Sequence, residues 1–135
     1  MATTTFSGPV VSNNGFVGAF TGNVIGNVTG NVTGDLTGDV IASVQTLSGE
    51  GAVNLTTMFT SLTTSGVGQA LTLANGTAGQ IKIIVHTVDG GSAVLTPTTK
   101  IGFTTITFTN VGDAVTLIYT AAGWAIVGIN GAVAA

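Results

Sequence analysis

The segment Ile81-Lys82-Ile83-Ile84-Val85-His86-Thr87-Val88 is a nearly continuous β-branched run, and Asp89-Gly90-Gly91 follows it directly. β-Branched residues crowd a helix and fit a pleated strand. The run therefore reads as a strand, and Asp-Gly-Gly as a tight hairpin turn into a second strand over 93–96. Lys82, Ile84 and His86 fall on one face of that strand. The lysine and the histidine mark it as the polar face. The same pattern extends on both sides. Residues 103–109 (FTTITFT) alternate Phe103, Thr105 and Thr107 against Thr104, Ile106 and Phe108. Gly112-Asp113 turns into 114–120, and Ala121-Ala122-Gly123 turns into 124–129. Upstream lie a Thr-rich stretch over 52–62 and a short apolar strand over 71–73. No segment has the 3.6-residue period of an amphipathic helix. Residues 42–135 are expected to form an all-β domain, a small β-sandwich or barrel.

Ahead of this domain the pattern changes. Gly18, Gly22, Gly26, Gly30, Gly34 and Gly38 stand four residues apart, and Phe20, Val24, Val28, Val32, Leu36 and Val40 stand midway between them. Asn23, Asn27, Asn31, Asp35 and Asp39 each follow a glycine. A helix would lose roughly 1 kcal/mol at each glycine, and collagen needs glycine at every third position. Period four is twice the strand period, so an extended arm fits. Its glycines and apolar residues share one face; Asn, Asp and Thr share the other. A lone strand cannot bury such a face, and an unstructured linker has no use for so regular an apolar series. The tract over 18–41 is read as a self-associating arm or stalk. Residues 1–17 form a polar leading segment with a few apolar side chains.

Composition narrows the function. Of 135 residues 44% are hydrophobic but only 5% charged, against roughly a quarter charged in average domains. So few charges favour association. Lys82 and Lys100 are the only basic side chains. Nucleic-acid binding needs several phosphate contacts, and a polybasic membrane anchor needs a cluster; neither is expected. There is no cysteine, which removes disulfides, thiolate metal sites and cysteine nucleophiles. The leading MATTTFSGPVVS lacks a basic region and an apolar run, and is not read as a signal peptide. No stretch has the length and apolarity of a membrane span.

Little in the chain suggests chemistry. Ser92, His86 and Asp89 would make a triad only within one predicted hairpin, with no G-x-S-x-G turn. His86 is read instead as a surface or interface residue. Asp89 and Asp113 sit in turn contexts that favour aspartate for backbone reasons, rather than as a pair for glycoside cleavage. Asp35 and Asp39 occupy slots held elsewhere by Asn and specify a cation only weakly. The Asn-x-Thr matches at Asn27, Asn31, Asn54 and Asn75 follow from composition. Trp124 and Tyr119 are read as core rather than as a sugar platform. No catalytic, metal or cofactor-binding residues are assigned, and the chain is not read as an enzyme.

Two stretches carry a resemblance: GNVIGNVTGNVTGDLTGDV in the arm, and LTLANGTAGQIKIIVHTVDGG with ITFTNVGDAVTLIYTAAGWAIVG in the domain. In these the chain resembles virion structural proteins of tailed bacteriophages, particularly those of marine and cyanobacterial phages. The resemblance covers most of the chain from Gly18 onward and carries no catalytic residues. It implies an intertwined homotrimer on the virion, at the capsid surface. The first expectation is a decoration, or cement, protein that binds the major capsid protein. In that expectation Phe20, Val24, Val28, Val32, Leu36 and Val40 form the trimer interface of the arm. Phe6, Pro9, Val10, Val11 and Phe16 anchor the leading segment to the shell. The alternative is a short head or tail fibre whose β-domain binds a receptor or glycan.

Overall fold

A computed structural model describes residues 37–135. The leading segment and all of the apolar arm series except Val40 lie outside the described residues.

Ten strands and no helix make up the described chain: β1 Val44–Ser48, β2 Gly51–Val53, β3 Phe59–Thr63, β4 Gln69–Leu73, β5 Ile81–Val88, β6 Ala93–Pro97, β7 Ile106–Phe108, β8 Ala114–Thr120, β9 Gly123–Asn130 and β10 Val133–Ala134. They form two five-stranded sheets. The first runs β1-β3-β5-β8-β9 and the second β10-β7-β6-β4-β2. Neither closes on itself, so of the two expected forms, sandwich or barrel, the barrel is not formed. The all-β expectation holds as two mixed sheets.

The first six strands alternate between the sheets. β1, β3 and β5 are mutually parallel in the first; β2, β4 and β6 are parallel in the second. Each circuit of the chain adds one strand to each sheet, as in a short solenoid. The last four strands join antiparallel: β7 on β6, β8 on β5, β9 on β8 and β10 on β7.

This winding corrects two sequence expectations. Asp89-Gly90-Gly91 is not a hairpin turn, because β5 belongs to the first sheet and β6 to the second. It is a corner stacked on the corner before it. A Cβ on Gly90 would come within 2.5 Å of the Thr64 carbonyl oxygen, and one on Gly91 would overlap the Gly66 backbone. The glycines are there for close approach between successive circuits. The stretch over 52–62 is likewise two strands in different sheets. Asn54 turns the chain between them: its Oδ1 accepts the Thr57 amide at 3.1 Å and the Thr57 hydroxyl at 2.8 Å. The expected β8–β9 hairpin is present, with Ala121 and Ala122 as its loop between Thr120 and Gly123.

Both sheets contribute to one core. Val53, Leu71, Leu73, Leu95, Ile106 and Phe108 come from the second; Leu62, Ile84, Val115, Leu117 and Trp124 come from the first. Trp124 is fully buried, donates from Nε1 to the Ala74 carbonyl at 2.9 Å, and stacks edge-on with Tyr119 at 5.1 Å. The expectation that these two aromatics serve the core holds.

Candidate functional site: the outward sheet faces

The face of β5 that carries Lys82, Ile84 and His86 is the buried one, with all three at 0% exposure. This overturns the reading of His86 as a surface or interface histidine and of that face as polar and exposed. Each polar group has an interior task. Lys82 Nζ donates to the Thr57 carbonyl at 2.8 Å and to the Thr57 hydroxyl at 3.1 Å, tying β5 to the 54–58 turn. Burial pulls its ammonium down to about 8 from 10.5. The Thr64 hydroxyl has one proton, which it gives to the Gly91 carbonyl at 2.7 Å. His86 Nε2, 3.0 Å away, must therefore donate to it, as the Gly90 amide does at 2.9 Å. His86 Nδ1 is buried without a hydrogen-bond partner. This cluster locks two stacked corners together.

The other candidate groups are spent in the same way. Asp113 is 4% exposed. Burial pushes its carboxyl up, but the Thr109 and Asn110 amides, the Thr109 hydroxyl and nearby His86 outweigh that and hold it low. Asp89 Oδ1 accepts the Gly91 amide at 2.8 Å, and Ser92 Oγ accepts the Gly68 amide at 2.9 Å. Ser92, His86 and Asp89 are each bonded elsewhere rather than to one another. Asp89 and Asp113 each serve their own turn. Among the described residues no three His, Cys, Asp or Glu side chains gather as a metal site.

What the domain presents is its two outward faces. With Lys82, Ile84 and His86 inward, the run's apolar residues Ile81, Ile83 and Val85 point out. On the first sheet Val44, Phe59, Ile83, Thr116 and Gly128 lie in register across all five strands. Ile81 and Ile118 pair beside them, as do Val85 and Ala114. Phe59, Ile83, Val85 and Ile118 are half-buried, while Val44 and Ile81 are exposed. The corresponding row of the second sheet is Ala70, Val94, Thr107 and Val133, flanked by Ala52, Thr72 and Thr96. The first face carries a band of large apolar side chains beside Thr46, Ser61, Thr87 and Thr116; the other is mostly alanine and threonine. Just before β1, Val40 and Ile41 are 66% and 94% exposed. Sequence reasoning missed the first face because it assigned β5 the opposite facing. The signal available was that Ile81, Ile83 and Val85 share a parity.

No family model, curated protein or solved structure matches this chain.

Proposed function

We propose that this chain is a structural virion protein, a trimeric decoration or cement protein that binds the major capsid protein on the outside of a phage head. The observation that carries the reading is the apolar outward face of the first sheet. Large uncharged patches of this kind mark contacts with other protein. In a chain with two lysines and no arginine, protein is a better partner than nucleic acid. The tetrad series supports the same reading, since its apolar slots need a partner to be buried, and its last member, Val40, is exposed in the single chain.

In this reading Phe20, Val24, Val28, Val32, Leu36 and Val40 bind three arms together. Phe6, Pro9, Val10, Val11 and Phe16 seat the leading segment on the shell. The work is mechanical. Apolar area buried across neighbouring shell subunits, at about 25 cal/mol per Å², opposes their separation, less the costs of docking and of ordering the arm. No catalytic step and no cofactor is invoked.

The winding of β1 to β6 favours one second reading, a short head or tail fibre, because circuits stacked on a common axis suit a stalk. Quantitative mass spectrometry of purified particles separates the two. A copy number close to that of the major capsid protein is expected for a decoration protein. A far lower number selects the fibre, and absence from the particle removes both.

A further inference from the structure

We propose that copies of this chain join head to tail through the outward face of the first sheet, the Phe59–Ile83 ridge of one copy seated in the depression beside Gly128 of the next. The proposal rests on the self-associating reading above and gives it a site.

The face has two unlike halves along one row. On β1, β3 and β5 the row is Val44, Phe59 and Ile83, a ridge of large side chains. On β8 and β9 it continues as Thr116 and then Gly128, where the side chain vanishes. A Cβ at Gly128 would meet nothing within 4 Å. Here an open depression of about 250 Å³ is lined by Ala114, Val115, Thr116, Gly128, Ile129 and Asn130. Ridge and depression lie on the same sheet surface, so a copy cannot fill its own depression; a second copy can. A contact between two different patches, repeated from copy to copy, is heterologous and closes a ring when the rotation allows. Returned between the same two copies, the contact would instead make a closed twofold pair, so crosslinking that stops at the dimer would contradict the head-to-tail join.

Charge fits the same occupant. The outward positions of these five strands hold no Lys, Asp, Glu or His. Two copies meet there without like-charge contact and without stranding a buried charge. A partner with a charged surface would find nothing to pair with.

The chain contains no cysteine, which permits a clean test. Phe59→Cys and Gly128→Cys are introduced together in the full-length protein. Within one copy the two positions are separated by three strand spacings, roughly 14 Å, beyond the ~7 Å reach of a disulfide. Any bond between them must join two copies. The expected result is covalent multimers on a non-reducing gel, up to the mass at which the wild type sediments, with neither single variant giving a ladder. Val94→Cys with Gly128→Cys serves as the control pair and is expected to stay uncrosslinked. If the wild type sediments as an oligomer but the Phe59–Gly128 pair crosslinks no better than the control, the head-to-tail contact is wrong and self-association survives. If the wild type sediments as a monomer, both are wrong.

Discussion

The two sheets share one core yet turn opposite kinds of surface outward. The second sheet shows Ala52, Ala70, Thr72, Thr96 and Thr107, with Val94 and Val133 among them. The first shows Val44, Phe59, Ile81, Ile83, Val85 and Ile118. The second has the surface that a weakly charged protein needs in water, small and able to hydrogen-bond. The first sets a band of large apolar side chains beside its outward Thr46, Ser61, Thr87 and Thr116. The difference also explains why Lys82 and His86 point inward. On β5 the parity with three large apolar residues went outside, and the two polar side chains were taken into the core and given hydrogen-bond partners there. An isolated domain would gain from the reverse arrangement, because burying Lys82 without a counter-charge is costly. The present one makes sense if the outward face is itself buried in an assembly.

Neighbouring residues on β5 offer the largest test. Ile84→Asp places a carboxylate in the core and is expected to cost more than about 4 kcal/mol, enough to unfold the domain in urea titration. Ile83→Asp, one residue away on the outward face, should leave the fold intact by circular dichroism while lowering the sedimentation coefficient. Unfolding by both would erase the inside–outside assignment.

The next test uses pH. Lys82 is held at about 8 in the folded chain against 10.5 when unconstrained. In that window the unfolded state binds more protons than the folded one, so unfolding free energy should rise with pH from about 8 to about 10.5. The rise should be on the order of 3 kcal/mol, beginning from a penalty fully present below 8. Lys82→Met should flatten the rise. A slope unchanged by the substitution would show that Lys82 is solvated, and the facing of β5 would have to be reversed.

Corner stacking is smaller in effect. Gly90→Ala should destabilise by about 1–3 kcal/mol through its clash with the Thr64 carbonyl. The smallest change belongs to the second sheet. Thr72→Ser or Thr96→Ser should shift stability by no more than about 0.5 kcal/mol and leave the oligomeric state as it was. A large loss of assembly there would mean that the plain face is the contact.

Much of the domain was legible in the chain. The 114–120 and 124–129 strands and their Ala-Ala-Gly turn can be read because a hairpin's two strands and its turn are neighbours in sequence. Parallel pairing leaves no such local mark. Val44 meets Phe59, and Phe59 meets Ile83, only after the chain has visited the other sheet. The Asp89-Gly90-Gly91 triplet misled because a hairpin turn and a stacked corner ask for the same residues, the corner needing missing side chains at both glycines and a positive φ at Gly91 as well. The candidate site was hidden by one ambiguous strand. Ile81-Lys82-Ile83-Ile84-Val85-His86 has apolar residues at both parities, and polarity pointed to the wrong one because Thr57 and Thr64, which receive Lys82 and His86, lie about two dozen residues upstream. The arm series, clear in the sequence, lies outside the described residues apart from Val40.

The most direct test compares matched positions on the two faces. Ile83 and Val94 are each half-buried in the middle of their sheets. In a chain without native cysteine, Ile83→Cys and Val94→Cys can each be alkylated in the assembled protein and in urea, and the assembled rate divided by the unfolded one. The account predicts that the thiol at 83 is slowed at least about tenfold more than the thiol at 94. Equal ratios would mean that the first sheet's apolar face stays open to solvent, and the claim that assembly covers it would fail.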